Sequence, residues 1–446
     1  MTGAETISVV GLGKLGLGFA ACLAKNGFDV FGVDCDTHLV DLINSRTATF
    51  DEPGLDAVIA KTTGGILRAG ADIAAAVSHS DTVFMLLPTP SRPDGSFDGN
   101  TLIQALKELC LSIRAQTKQQ YLIVIGSTVS PGTIAGAVIP VIERILEQPI
   151  GETISVCYNP EFAALGSIIA DFERPDLILI GESESAAGAE VERIHRKLAR
   201  NNPVIHHMSV VNAEIAKLAL NNFLTVKISF ANLLSQICSR IEGAEIDKIT
   251  RVLASDSRIG GKLLRAGPAF GGPCFPRDTK AFAAWALESG RSAGFVHEVD
   301  EINRAQHGPL AETVHRQVRL LGAQSVGILG LSYKESAPYV TESASIALIK
   351  TLHASGIRII AYDPLALKAA ALEFGEWFEA ATTASACVHA APVIVLVNND
   401  PACTNAILSY KGGDAKIVVD CWRALDAHAA VPNVKVVKLG YWSEMT

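Results

Sequence analysis

The feature that most constrains this chain is a turn of three glycines, Gly11, Gly13 and Gly16, set between an apolar run and an Ala-rich stretch. Ile7 to Val10 reads as a strand, GLGKLG as a tight turn, the residues to about Lys25 as a helix, and Asp29 to Val33 as a second strand. Strand, turn, helix and strand in that order form one βαβ unit, whose crossover requires parallel pairing. Further apolar runs at Thr82 to Leu87, Leu122 to Ile125 and Leu177 to Ile180 extend the pattern, with helical stretches such as Thr101 to Thr117 between them. The alternation predicts an α/β fold built on a doubly wound, mostly parallel sheet.

The glycine spacing also carries chemistry. In a GxGxxG turn the first glycine permits the bend, the second lets a pyrophosphate approach the backbone, and the third lets helix and strand pack. Leu12 and Leu15 lie within the same turn, and Asp34 ends the next strand, where a carboxylate can hold ribose hydroxyls. The residues just after Asp34 include no Arg or Lys to meet a 2′-phosphate, so NAD is expected rather than NADP. Two later segments fall where strands end, on the usual ligand rim. One contains Pro88, Thr89 and Pro90; the other, Gly126 to Gly132, contains Ser127 and Thr128. Turn chemistry explains these residue types equally well.

A chain of 446 residues exceeds one ordinary core, and the second half shows why. From Asn212 to Arg240 there is no Gly or Pro, which predicts a single long helix. More helix is expected to about Leu287, broken by the glycine-rich segment Gly267 to Gly272. Strand-helix alternation then returns at Ser325 to Leu331, Ile357 to Tyr362, Val393 to Val397 and Lys416 to Val419, predicting a second Rossmann-like domain. With 49% hydrophobic and 19% charged residues the composition is that of a globular protein. A net charge of -8 without a dense basic block argues against nucleic acid as a partner. No apolar run approaches the ~20 residues that span a bilayer, and the N-terminus lacks signal-peptide features, so a cytoplasmic protein is expected. The nine cysteines form no CxxC pair, and His206 and His207 have no ligand partner at metal-binding spacing. Both histidines are read as structural, and no metal is predicted.

Three polar clusters lie outside the glycine turn. Tyr158-Asn159-Pro160-Glu161-Phe162 places a carboxylate after an Asn-Pro turn. Lys217 and Asn221 lie four apart on the long helix, hence on one face. Phe270, Gly271, Gly272, Cys274, Arg277 and Asp278 combine bare backbone, a thiol and charge. Each has a plain reading: a helix-start carboxylate, a solvated lysine, one more buried thiol. The glycine-rich setting of Cys274, with Arg277 near enough to favour a thiolate, singles it out from the other eight.

The ordered set GLGKLG, LPTP, GSTVSPGT, YNPEF, AEIAKLALNNF, DSRIGGKLLRAGPAFGGPCFPRD and LGLSYK resembles the UDP-glucose/GDP-mannose dehydrogenase family, from Gly11 to Lys334. The resemblance implies an NAD-binding Rossmann-like domain over 1–205, a central helical and dimerisation domain over 206–300, and a UDP-sugar-binding Rossmann-like domain over 301–446. It implies oxidation of the C6 alcohol of a nucleotide-activated hexose to a carboxylate with two NAD, most simply UDP-glucose, by a homodimer or larger homo-oligomer. Such uronic acids usually feed surface polysaccharides. Cys274 would be the nucleophile, forming a thiohemiacetal and then a thioester. Lys217 and Asn221 would stabilise the C6 oxygen, Glu161 would handle the proton of the hydrolytic water, Asp278 would support the lysine, water or thiolate, and Thr128 would orient water. Glu161, Phe162, Lys217, Asn221, Phe270, Gly271, Gly272 and Lys334 would contact the sugar nucleotide, and Arg258 that of a neighbouring subunit. These contacts would place the active site between the two Rossmann-like domains.

The chain departs from the family pattern at three places. Leu165 stands where a glutamate is common, Thr341 where an arginine is, and Asp420-Cys-Trp-Arg423 replaces an Asp-x-Arg-Asn sequence. GDP-mannose or a UDP-N-acetylhexosamine are the alternative substrates. A single-step hydroxyacid dehydrogenase and a non-catalytic sugar-nucleotide binder are the alternative functions.

Overall fold

The computed structural model describes residues 4–442 apart from 119, 152 and 428–429. The chain divides into two compact units, Met1–Ala219 and Leu220–Thr446. Among the described residues, the first unit is built on an eight-stranded sheet in the order β3-β2-β1-β4-β5-β6-β7-β8. Its strands are β1 Thr6–Val10, β2 Asp29–Val33, β3 Leu67–Gly70, β4 Thr82–Met85, β5 Tyr121–Ile125, β6 Ile154–Tyr158, β7 Leu177–Glu182 and β8 Val204–Ser209. Strand order reverses between β1 and β4, which creates the crevice where ligands of such sheets bind. Side chains alternate between two apolar layers: in β5, Leu122 and Val124 enter one and Tyr121, Ile123 and Ile125 the other. Both faces are therefore buried, as a doubly wound sheet requires.

The join between β6 and β7 is antiparallel, with Cys157 opposite Glu182 and Tyr158 opposite Gly181. β8 runs beside β7 and passes straight into the helix Val210–Cys238, a single span of 29 residues. At Gly181 a Cβ would come within 2.8 Å of the Val210 Cα and of the Ala213 Cβ, so only glycine lets the helix start this close to the sheet. The reversal thus delivers the long helix beside the end of β6. The adjacent histidines lie on β8, and His207 hydrogen-bonds Glu182 at 2.8 Å and Glu192 at 2.7 Å. These carboxylates lie 25 and 15 residues away in the chain, which is why local spacing missed them.

The second unit carries the rest of the long helix, helices Ile246–Ser255, Phe275–Glu288, Gly294–Ala305 and His307–Leu321, and a second sheet. That sheet is six-stranded among the described residues, in the order β11-β10-β9-β12-β13-β14, and parallel throughout. Its strands are β9 Ser325–Leu329, β10 Arg358–Tyr362, β11 Glu379–Ala380, β12 Val393–Leu396, β13 Lys416–Asp420 and β14 Val434–Lys438. The fold is two Rossmann-like α/β domains joined by long helices.

Candidate active site

In the first unit the turn after β1 has the geometry of a dinucleotide cradle. Gly11 adopts φ +92°, and a Cβ there would meet the Leu86 carbonyl oxygen at 2.4 Å. At Gly16 a Cβ would lie 1.8 Å from the Gly11 oxygen. Gly13 differs: nothing lies within 4 Å of its Cβ position, so its bareness serves no packing within the chain. The helix Lys14–Lys25 starts directly behind it and turns the positive end of its dipole toward an anion placed there. Leu12 is buried and its N–H donates to Asp34 Oδ2 at 2.8 Å, while Leu15 packs against the core. Asp34 Oδ1 accepts only the Asp36 N–H among the described bonds, which leaves lone pairs for ribose hydroxyls. The chain's own residues therefore fit a dinucleotide.

The two rim segments are stitched together. The Leu87 N–H donates to Ser127 Oγ and the Thr89 hydroxyl donates to the Thr128 carbonyl at 2.6 Å. Thr89 is buried, whereas Pro88 and Pro90 are exposed. A residue that local pattern does not reveal, Glu214, anchors this rim from the long helix. Its fully buried carboxylate accepts the N–H groups of Gly132 and Ile134 at 2.7 and 2.8 Å. One turn on, the Lys217 ammonium donates to the Glu161 carbonyl and lies 4.1 Å from the Phe162 ring centre. Burial pushes the Glu161 carboxyl up to about 8, and the Lys217 charge opposes that rise in part. Leu165, four residues beyond Glu161, packs against the apolar core.

In the second unit Cys274 is exposed and immediately precedes the helix Phe275–Glu288, its side chain making no capping bond there. The positive end of the helix dipole favours negative charge at this position. Seven of the other thiols are buried, and burial pushes Cys22, Cys110 and Cys387 up to about 12 and Cys157, Cys403 and Cys421 higher. Only Cys35 shares the exposure of Cys274. One turn along, Asp278 is fully buried. Its carboxylate accepts from Asn221 Nδ2 at 2.7 Å and from Arg277 Nε at 3.0 Å. The Arg277 guanidinium thus pairs with Asp278, one turn from the thiol.

The glycines before Cys274 are filled from within the chain rather than left bare. A Cβ on Gly271 would fall 2.0 Å from the Glu342 oxygen, and one on Gly272, at φ +85°, would fall 2.5 Å from the Tyr333 ring. The Gly272 N–H donates to the Thr341 carbonyl. Phe270 meets the Phe275 ring edge-on at 5.9 Å. Lys334 is half-buried beside this strap, and Ser332 donates to its carbonyl. Arg258 stands apart, with its side chain 86% exposed and paired with Asp256.

Family models for the NAD binding, central and UDP binding domains of the UDP-glucose/GDP-mannose dehydrogenase family match residues 5–199, 211–305 and 327–427. The chain belongs to this family. It is 32% identical over 396 residues to a UDP-glucose 6-dehydrogenase of Haloferax volcanii, covering 88% of this chain and 91% of that one. It is 30% identical over 360 residues to a GDP-mannose 6-dehydrogenase of Pseudomonas putida, covering 80% of each. A UDP-glucose dehydrogenase structure from Pyrobaculum islandicum matches with a TM-score of 0.87 at 28% identity, over 99% of this chain and 98% of that one. The chain is thus an NAD-dependent nucleotide-sugar dehydrogenase. Identities this similar do not separate the sugars. Among the described residues, no helix is long and apolar enough to cross a membrane.

Proposed function

We propose that this dehydrogenase oxidises the C6 alcohol of UDP-glucose to the carboxylate in two steps, through a covalent bond to Cys274. One observation carries the reading: an exposed thiol at a helix N-terminus, with a buried carboxylate one turn along held by an amide and a guanidinium. A single alcohol-to-aldehyde oxidation needs no such thiol. NAD, when bound, accepts the hydride at each oxidation; the Asp34 carboxylate favours it over NADP, whose 2′-phosphate would bring like charge to the ribose.

The first oxidation removes a hydride from C6 and the hydroxyl proton, and the Lys217 ammonium stabilises the oxygen as charge develops. Asn221 donates to the same oxygen. The Cys274 sulfur then adds to the aldehyde carbon, giving a thiohemiacetal and holding the reactive carbonyl in place. Loss of a second hydride and the hydroxyl proton leaves a thioester. Water attacks its carbonyl, the C–S bond breaks, and the carboxylate departs as the thiol is restored. Glu161, made more basic by its raised pKa, takes the proton of that water in its ionised form. Thr128 orients the water, and Asp278 supports the charged groups around the sulfur. Lys334, Phe162 and Phe270 line the sugar nucleotide, and UDP-glucose is taken first because relatives of that name match 88% and 94% of the chain against 80% for a GDP-mannose enzyme.

The same proposal includes a homodimer. Phe223, Phe230, Leu233, Ile237 and Ile241 are exposed at helical spacing along the long helix and its end, and Val252 and Ile259 follow. A second copy would bury this stripe and bring Arg258 to its partner's substrate. Ile237→Glu should yield a monomer on sedimentation; an unchanged dimer, or a monomeric parent, would count against it.

The deciding experiment counts NADH per sugar on a panel of UDP- and GDP-hexoses. Two NADH per UDP-glucose are expected, and Cys274→Ala should lower turnover by at least about 10³-fold. A ratio near one, or full activity in Cys274→Ala, would sink the covalent mechanism.

A further inference from the structure

The segment from Ala266 to Cys274 belongs to no helix or strand, yet much of it is buried. Buried backbone groups need partners, and a loop cannot supply its own. Here side-chain amides supply them. Asn303 Oδ1 accepts the Phe270 N–H at 2.8 Å, and its Nδ2 donates to the Phe270 carbonyl at 3.0 Å. Only one orientation of the amide satisfies both bonds, so this side chain pairs with Phe270 as a neighbouring strand would. Three residues on, Gln306 Nε2 donates to the Gly267 carbonyl at 2.7 Å. The Gly267 N–H donates to Asn232 Oδ1 at 2.9 Å. Gln236, one turn from Asn232 on the long helix, donates to Gln306 Oε1 at 2.7 Å and fixes that amide in turn. Asn232, Asn303 and Gln306 are buried.

We propose that Asn303 and Gln306 are positioning residues that template the loop carrying Cys274, fixing both backbone groups of Phe270 and the carbonyl of Gly267. The proposal rests on Cys274 being the nucleophile. Its chemistry is a hydrogen-bonding match between side-chain and backbone amides, and it acts on the sugar-nucleotide half of the reaction alone. Asn303→Asp is the informative variant. It keeps the shape and the acceptor for the Phe270 N–H, but sets a carboxylate oxygen against the Phe270 carbonyl.

Three readouts test the proposal. In the unsubstituted protein the Phe270 amide should exchange its hydrogen at least about 100-fold more slowly than an open loop amide, as an internal hydrogen bond demands. In Asn303→Asp that protection should fall by about 10-fold or more, because repulsion between the new carboxylate oxygen and the Phe270 carbonyl pushes the whole side chain, N–H acceptor included, off the loop. The rate at which iodoacetamide alkylates Cys274, followed on its own peptide, should change by about 5-fold or more, and KM for UDP-glucose should rise by about 10-fold. NADH affinity should stay within about 2-fold, since its cradle is built by other residues. Fast Phe270 exchange in the unsubstituted protein overturns the proposal, and that measurement decides if Asn303→Asp does not fold. Unchanged alkylation and KM in a folded Asn303→Asp overturn it equally. Exchange and alkylation need no sugar nucleotide, so they stand even if the panel finds another substrate.

Discussion

The two Rossmann-like sheets use the same joint at their centre and put it to opposite ends. In the first, β1 ends at Gly11 with φ +92°, the next N–H reaches a carboxylate that ends β2, and the glycine presses on Leu86 after β4. In the second, β9 ends at Gly330 with φ +92°, the Leu331 N–H reaches Asp363 after β10 at 2.7 Å, and the glycine presses on Asn398 after β12. The carboxylates then diverge. Asp34 receives two backbone N–H groups and is partly exposed. Asp363 is buried and also receives Ser332, Leu365 and Ala366, so its oxygens are spent on the chain itself. The helices diverge too. One starts at Lys14, directly behind the turn; the other starts at Ala344, after a long strap, and is capped by the Ser343 hydroxyl. The joint alone does not make a dinucleotide site. What makes one is a carboxylate with lone pairs to spare and a helix that starts at the turn itself.

The contrast can be broken by equivalent substitutions. Asp363→Ala should be the most damaging, stranding several buried donors at a cost of about 3–5 kcal/mol, while leaving NADH affinity unchanged in whatever folds. Chemical denaturation and NADH fluorescence would show it; weakened NADH binding would mean that the second carboxylate serves the cofactor after all. Asp34→Ala should do the reverse, weakening NADH by about 10–100-fold at modest cost in stability. The first unit should also respond to pH through Glu161. Its carboxyl is raised in the fold, so its contribution is full below the ordinary carboxylate range and is lost as pH rises through about 8. Melting temperature should therefore fall between pH 5 and pH 9 more steeply than in Glu161→Gln; parallel curves would remove the raised carboxyl. Smallest of all, Gly13→Ala should leave stability within about 0.5 kcal/mol yet weaken NADH several-fold, because its Cβ meets only the space a pyrophosphate needs.

Much of this architecture is legible before any coordinates. β2 falls at Asp29–Val33 as read, and the long helix runs unbroken because nothing between Val210 and Cys238 interrupts it. Some strands that escape notice are short or polar: β3 has four residues, β11 two, and β8 carries His206 and His207 with mostly exposed side chains; β6 and β14, five residues each, escape it as well. The antiparallel join at β7 is invisible because direction leaves no mark on side-chain type. The glycine turn and Asp34 are readable since one local unit holds all of them. Glu214, Asn303 and Gln306 are not, since each grips backbone 33 to 82 residues distant. The Arg277–Asp278 pair joins chain neighbours and is still not readable, because adjacency alone does not say which way a side chain turns.

The partition of thiols has a practical consequence. Thiol-reactive probes need an accessible sulfur, and here two positions offer one: Cys35 at the end of β2 and Cys274 before its helix. One belongs to each unit. The native chain thus comes with its own pair of attachment points for a donor and an acceptor dye. Because a dye on Cys274 takes the proposed nucleophile, the labelled chain can report NAD binding at the first unit but not turnover.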